Sequence, residues 1–104
     1  MTVDDSAAAD ADTWYMRLYV AGQSPRSLKA FANLSALCEQ HLAGQYEIEV
    51  IDLLEDPARA QVDDIVAVPT LVRSRPAPPR KIIGDLSNTQ GVLVGLQLEP
   101  RAPR

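Results

Sequence analysis

The sequence predicts a single α/β domain of the βαβαββα type. Three observations carry that reading. A period-2 strand leads directly into a capped amphipathic helix. A second apolar strand follows that helix after a glycine stop. Two proline-bounded strand segments then precede a final capping motif.

The elements follow in order. Trp14, Met16, Leu18 and Val20 alternate with Tyr15, Arg17 and Tyr19, as one face of a strand requires. Ala21-Gly22-Gln23 breaks that pattern. Ser24 before Pro25 places a side-chain cap ahead of a first-turn proline. Leu28, Phe31, Leu34, Cys38 and Leu42 then recur at helical spacing, so they form the predicted apolar stripe. Gly44 closes the helix as a left-handed cap. Tyr46–Leu54 is the second strand, and strand–helix–strand makes a right-handed unit with parallel strands.

The second half begins at Asp56-Pro57, which repeats the cap-plus-proline device and predicts a short helix to about Asp64. Pro69 bars helix just before it and introduces a strand over Thr70–Ser74. Pro76-Ala77-Pro78-Pro79 is a stiff turn, and Arg80–Asp85 returns as the partner strand. Ser87-Asn88-Thr89-Gln90 fits a capping box. The string after it pulls the other way, because Val92, Val94, Leu96 and Leu98 alternate as in a strand and Gly95 disfavours helix. This C-terminal string reads two ways.

Composition bounds the function. A chain of 104 residues supports one hydrophobic core, expected over residues 13–99. One cysteine excludes a disulfide framework, and one histidine argues against a structural zinc site. The net charge of −4 argues against a nucleic-acid binder. No apolar run approaches the roughly 20 residues of a membrane span, and no signal peptide is evident, so a cytoplasmic location is expected. Asp4, Asp5, Asp10 and Asp12 place four negative charges in residues 1–12, read as a solvated tail. Residues 100–104 are read as a second tail, and the domain between the two is close to neutral.

The element order is that of the thioredoxin-like fold, so redox chemistry is tested first. The catalytic thiols of such enzymes sit where the first strand meets the first helix, because the helix N-terminus lowers their pKa. Here that corner is Gln23-Ser24-Pro25-Arg26, without sulfur. Cys38 lies on the apolar stripe and reads as a small buried hydrophobe. His41 reads as a helix-end charge, and Asp63, Asp64, Glu47 and Glu49 read as solvated acids. No catalytic residue, metal site or cofactor is expected.

Two features remain. Arg73, Arg75, Arg80 and Lys81 gather four positive charges around the proline turn. They either guard an exposed sheet edge or form a docking surface for an acidic partner. Pro69 is either an ordinary trans proline at a strand start or a cis proline, which the thioredoxin-like order favours.

Leu18-Tyr19-Val20-Ala21-Gly22, Ser24-Pro25, Val50-Ile51-Asp52-Leu53, Pro69-Thr70-Leu71 and Lys81-Ile82-Ile83-Gly84-Asp85-Leu86-Ser87 together resemble the KaiB family of circadian clock proteins, without an evident gap from Trp14 to Leu98. The resemblance implies a non-catalytic regulator that binds the first ATPase ring of the KaiC hexamer and modulates its phosphorylation and ATPase cycle. In cyanobacteria that complex sequesters KaiA. It also implies a metamorphic second half, switching between a ground-state oligomer (a tetramer or dimer) and a thioredoxin-like monomer that binds KaiC. The family's partner-facing basic positions fall on Lys29, Arg73 and Arg80, its switch-linked glycine on Gly95, and its turn prolines on Pro76 and Pro78. Pro69 joins the switch positions.

Departures from the family pattern are the added Pro79, Gln97 in place of an aspartate, and an arginine-bearing end in place of an acidic tail. They argue against the tetramer and against a KaiA-sequestering role. They fit a divergent or non-cyanobacterial member working with KaiC alone, and the thioredoxin-like arrangement is the expected form. Two rival readings are a KaiB-like sensor domain of a signalling kinase and a cysteine-less thioredoxin-like enzyme remnant.

Overall fold

The computed structural model describes residues 13–76 and 78–96. The expectations for both tails, for Ala77, and for Gln97 and Leu98 lie outside the described residues. Four strands form one sheet: β1 Trp14–Val20, β2 Tyr46–Asp52, β3 Thr70–Arg75 and β4 Arg80–Ile83. Their order is β2-β1-β3-β4. β1 and β2 run parallel from Trp14↔Tyr46 to Val20↔Asp52. β3 runs antiparallel to β1, and β4 antiparallel to β3. The second strand stops at Asp52, short of the expected Leu54. The Asp52 carboxylate accepts from the Gly22 and Leu54 amides at 2.9 Å each, which turns the chain out of the sheet and ties it to the end of β1.

Helix α1 spans Pro25–His41 and starts as expected, with the Ser27 amide donating to Ser24 Oγ at 3.3 Å. Gly44 takes the left-handed conformation at φ +77° that its stop required. The buried stripe differs from the expected one. Ser27, Ala30, Leu34, Leu37 and Cys38 face the sheet, whereas Leu28 and Phe31 are 56% and 44% exposed. The helix turns its Ser27–Ala30–Leu34–Leu37–Cys38 face inward although Leu28 and Phe31 are the larger residues. Ser27 sits there because its hydroxyl also accepts from the Ala21 amide at 3.3 Å. Replacing Ser24 by alanine should cost about 1 kcal/mol in a urea melt; an unchanged midpoint would show that Pro25 alone starts the helix.

The expected helix after Asp56 is instead a five-residue 3₁₀ turn, Pro57–Gln61. Asp56 makes no side-chain capping bond, and no residue of the turn is buried. A segment this short with no face to bury cannot offset helix nucleation. Asp64, at φ +54°, then reverses the chain.

The ambiguous C-terminal string is helical, as α2 Thr89–Leu96. Burial decides between its two patterns. Val92, Leu93 and Leu96 are buried together at helical spacing, and Val94, which the strand pattern would bury with them, is 74% exposed. The cap lies one residue beyond the expected Ser87. Asn88 Oδ1 accepts from the Gly91 amide at 3.1 Å, while the Ser87 amide donates to Asp85 Oδ1 at 3.0 Å. Ser87 belongs to the preceding turn, so the expected box does not form.

Both helices cover one face of the sheet. Met16, Leu18, Leu34, Cys38, Leu71, Val92 and Leu96 belong to one continuous core. On the other face Tyr19, Ile51 and Val72 form a smaller cluster, packed by Leu53, Ile65 and Val68 beside the 3₁₀ segment.

Candidate partner-docking surface

The β3–β4 hairpin positions the basic residues. Its register sets Arg73 directly opposite Arg80 and Val72 opposite Lys81. Alternation along each strand therefore sends Arg73 and Arg80 to one face and Lys81 to the other. Arg75 is exposed at the end of β3, its guanidinium 5.9 Å from the Tyr15 ring. Lys81 is exposed and donates to the Asp64 carbonyl at 3.1 Å. Arg80 is half-buried. Lys29 stands apart from the hairpin on α1, exposed, with Nζ 4.0 Å from Asp85 Oδ2. The Asp85 carboxyl lies below its ordinary range, chiefly because Ser87 donates to it and then because Lys29 and Arg26 are near.

Arg73 does not point outward. It is 2% exposed, and its two terminal nitrogens donate to the carbonyls of Leu96 and Pro78, the latter at 2.6 Å. Its guanidinium lies 4.9 Å from the centre of the Trp14 ring. Burial pulls its pKa down, and the charge of Arg80 adds to that. The sequence suggested a surface charge because arginines beside a turn are normally solvated. No local signal shows that a helix end will arrive over this one.

The expected switch positions are spread through the same half. The Val68–Pro69 and Arg75–Pro76 bonds are both cis. Pro69 is buried, while Pro76 and Pro78 are exposed, with the Pro78 carbonyl held by Arg73. Gly95 lies in α2 over β4, where an added Cβ would come 3.0 Å from Ile82 Cδ1. That atom is the end of a flexible side chain, so the helix propensity of alanine should prevail. Gly95→Ala is expected to gain about 0.5 kcal/mol, read as a raised Tm; a lowered Tm would mean that Ile82 cannot turn aside.

Sequence reasoning missed one cluster. Asp63, taken there as a solvated acid, accepts from Arg17 Nε at 2.9 Å, from Arg17 Nη2 at 3.2 Å and from the Tyr19 hydroxyl at 2.6 Å. The contacts join β1 to the segment after the 3₁₀ turn across 46 residues of sequence. Arg17 and Tyr19 hold the Asp63 carboxyl below its ordinary value, and burial together with Asp63 raises the Tyr19 phenol. Glu49, also read as solvated, meets Arg59 at 3.2 Å. Only the polar positions of β1 facing away from the helices hinted at this network.

The arrangement is suited to binding. Ser24 and Ser27 occupy the corner where a thioredoxin keeps its thiols, and their hydroxyls bond each other at 2.9 Å. Cys38 is buried, and desolvation pushes its thiol up to about 12. Among the described residues no group of His, Cys, Asp and Glu could hold a metal ion. No helix among them is long and apolar enough to cross a membrane.

Comparison with known proteins gives a consistent picture. The KaiB domain model matches residues 17–98. The chain is 45% identical over 91 residues to circadian clock protein KaiB3 of Synechocystis, covering 88% of this chain and 89% of that one. It is 48% identical over 86 residues to circadian clock oscillator protein KaiB of Gloeothece citriformis, covering 83% and 81% respectively. Among solved structures, the N-terminal domain of Synechococcus elongatus SasA superposes with a TM-score of 0.69 at 18% identity, covering 89% of this chain and 91% of that one. Chloroplastic thioredoxin z superposes with a TM-score of 0.66 at 22% identity, covering 93% and 88%. Both likenesses establish the thioredoxin-like fold.

Proposed function

Since this chain belongs to the KaiB family of circadian clock proteins, we propose that it is a non-catalytic timing regulator that docks on the first ATPase ring of a KaiC hexamer and modulates its phosphorylation and ATPase cycle. The observation that carries the reading is the family match, which spans nearly all the described residues. The geometry supports it on the binding side. Arg75, Arg80 and Lys81 cluster at one hairpin, Lys29 adds a fourth charge from α1, and the thiol corner is occupied by serines. Complementary charge on a partner would set encounter rate and register.

In this proposal the binding form is the thioredoxin-like monomer, acting in the cytoplasm with KaiC alone. Pro69, Pro76, Pro78 and Gly95 remain the positions at which a second arrangement of the C-terminal half would differ. Backbone chemical shifts test that point: strand over 92–96 with helix over 80–83 would reveal the other form in solution.

Affinity capture from native lysate tests the main reading. Recovery of a hexameric ATPase supports it. Recovery of a kinase polypeptide that contains this chain would favour the sensor-domain rival instead. Retention of no ATPase by the folded protein would overturn the proposal.

A further inference from the structure

We propose that Arg73 is a positioning residue for the docking surface, a buried strut that joins the end of α2, the proline turn and Trp14, and that the partner does not touch it. Its effect on docking rests on the KaiC reading above; the strut itself does not.

The argument starts from the cost of burying a cation. A guanidinium removed from water loses several kcal/mol of hydration and normally recovers it from a carboxylate. The acids paired among the described residues are Asp63, Asp85 and Glu49, none of them with Arg73. Arg73 instead spends its two terminal nitrogens on the Leu96 and Pro78 carbonyls and lays its plane near the Trp14 ring. Leu96 is the last described residue of α2, and its carbonyl accepts from one of the two terminal nitrogens. The turn at Pro76, Pro78 and Pro79 is poor in backbone N–H groups of its own. Trp14 begins β1 at the margin of the core.

One planar fork therefore ties the last described turn of α2 to β3. It fixes the turn at the same time. Lysine carries its three donors on one nitrogen and lacks the planar fork whose two separate nitrogens reach these two carbonyls beside an indole. The arrangement is also incomplete in an informative way. Arg73 Nε and Arg80 Nε are both buried without an acceptor, on residues that face each other across the strands. The pair is held in place by what Arg73 grips, since their mutual charge opposes it. Arg75 lies two residues and Arg80 seven residues after this fixed point, so the strut sets the spacing of the charges offered to a partner.

Trp14 is the only tryptophan, which gives a direct optical readout. Arg73→Met and Arg73→Lys in the full chain should both shift Trp14 emission to the red. Both should speed amide exchange at 92–96 about tenfold or more. With purified KaiC, Arg73→Met should weaken binding and leave its salt dependence unchanged, whereas Arg75→Met should flatten that dependence. If Arg73→Met keeps both wild-type emission and wild-type exchange, the strut is wrong. If it flattens the salt dependence as Arg75→Met does, Arg73 is a contact residue and the proposal fails. Should Arg73→Met not fold, Arg73→Lys decides, and wild-type emission and exchange in that variant overturn the need for a fork. Failure of the wild-type chain to bind KaiC would sink the docking reading and leave the optical and exchange results to judge the strut.

Discussion

Arg80→Glu combined with Lys81→Glu is expected to weaken KaiC association by about 100-fold or more, a loss near 2.7 kcal/mol, without unfolding the chain. Lys81 is exposed and donates to the Asp64 backbone carbonyl, so its reversal costs the fold little. Arg80 is the more telling of the two. It stands directly opposite Arg73, two like charges across neighbouring strands. Glutamate at that position would place a carboxylate beside a buried guanidinium and should raise stability by about 0.5 kcal/mol. Binding and stability are thus expected to move in opposite directions from one substitution. A urea melt beside a calorimetric titration with KaiC checks both. Unchanged affinity in the double variant would remove the hairpin from the docking surface, and a large loss of stability in Arg80→Glu would show that its charge does not face Arg73.

Removing Asp63 should produce the largest stability loss among the polar substitutions. Asp63→Ala leaves a half-buried Arg17 without its carboxylate and a fully buried Tyr19 without its acceptor. The cost is expected to be about 2 kcal/mol at pH 7, roughly 10 °C in Tm. The dependence on pH has a definite sign. Arg17 and Tyr19 depress the Asp63 pKa in the folded chain, below the value of about 3.9 that it takes when unfolded. The stabilisation is therefore complete above pH 4 and disappears as pH falls through the folded value. Wild type and Asp63→Ala should differ most near neutrality and draw together as pH falls below about 4. An equal deficit at pH 7 and pH 3 would mean that the carboxylate charge is not what holds the segment.

The parallel half was legible because its signals are local and agree. Ser24-Pro25 caps a helix, Gly44 ends it, and the alternation in Trp14–Val20 matches a strand with one face on the core. The exchange of Leu28 and Phe31 for Ser27 and Ala30 on the buried face was not legible, because it depends on how α1 is rotated against the sheet, where the Ser27 hydroxyl accepts from the Ala21 amide. In the second half the type of α2 was undecided by local pattern and settled by burial against β4 and α1. The basic cluster was visible as composition but not as geometry. Whether Arg73 faces water depends on Leu96, 23 residues further along, arriving above it. Asp63 was misjudged for the same reason, since its partners lie in β1. Long-range polar contacts are set by topology, and neither residue carries a mark of them in its own neighbourhood.

Cys38 has a use that follows from its inertness. The chain's one thiol sits on α1 against the sheet, fully enclosed and pushed up to about 12. At neutral pH a thiol reagent can reach it only when the α1–sheet packing opens. Its labelling rate is thus a gauge of how often that packing breathes, in solution and on the partner, with no substitution introduced. A single sulfur atom becomes an internal stopwatch for the helix–sheet half of the molecule.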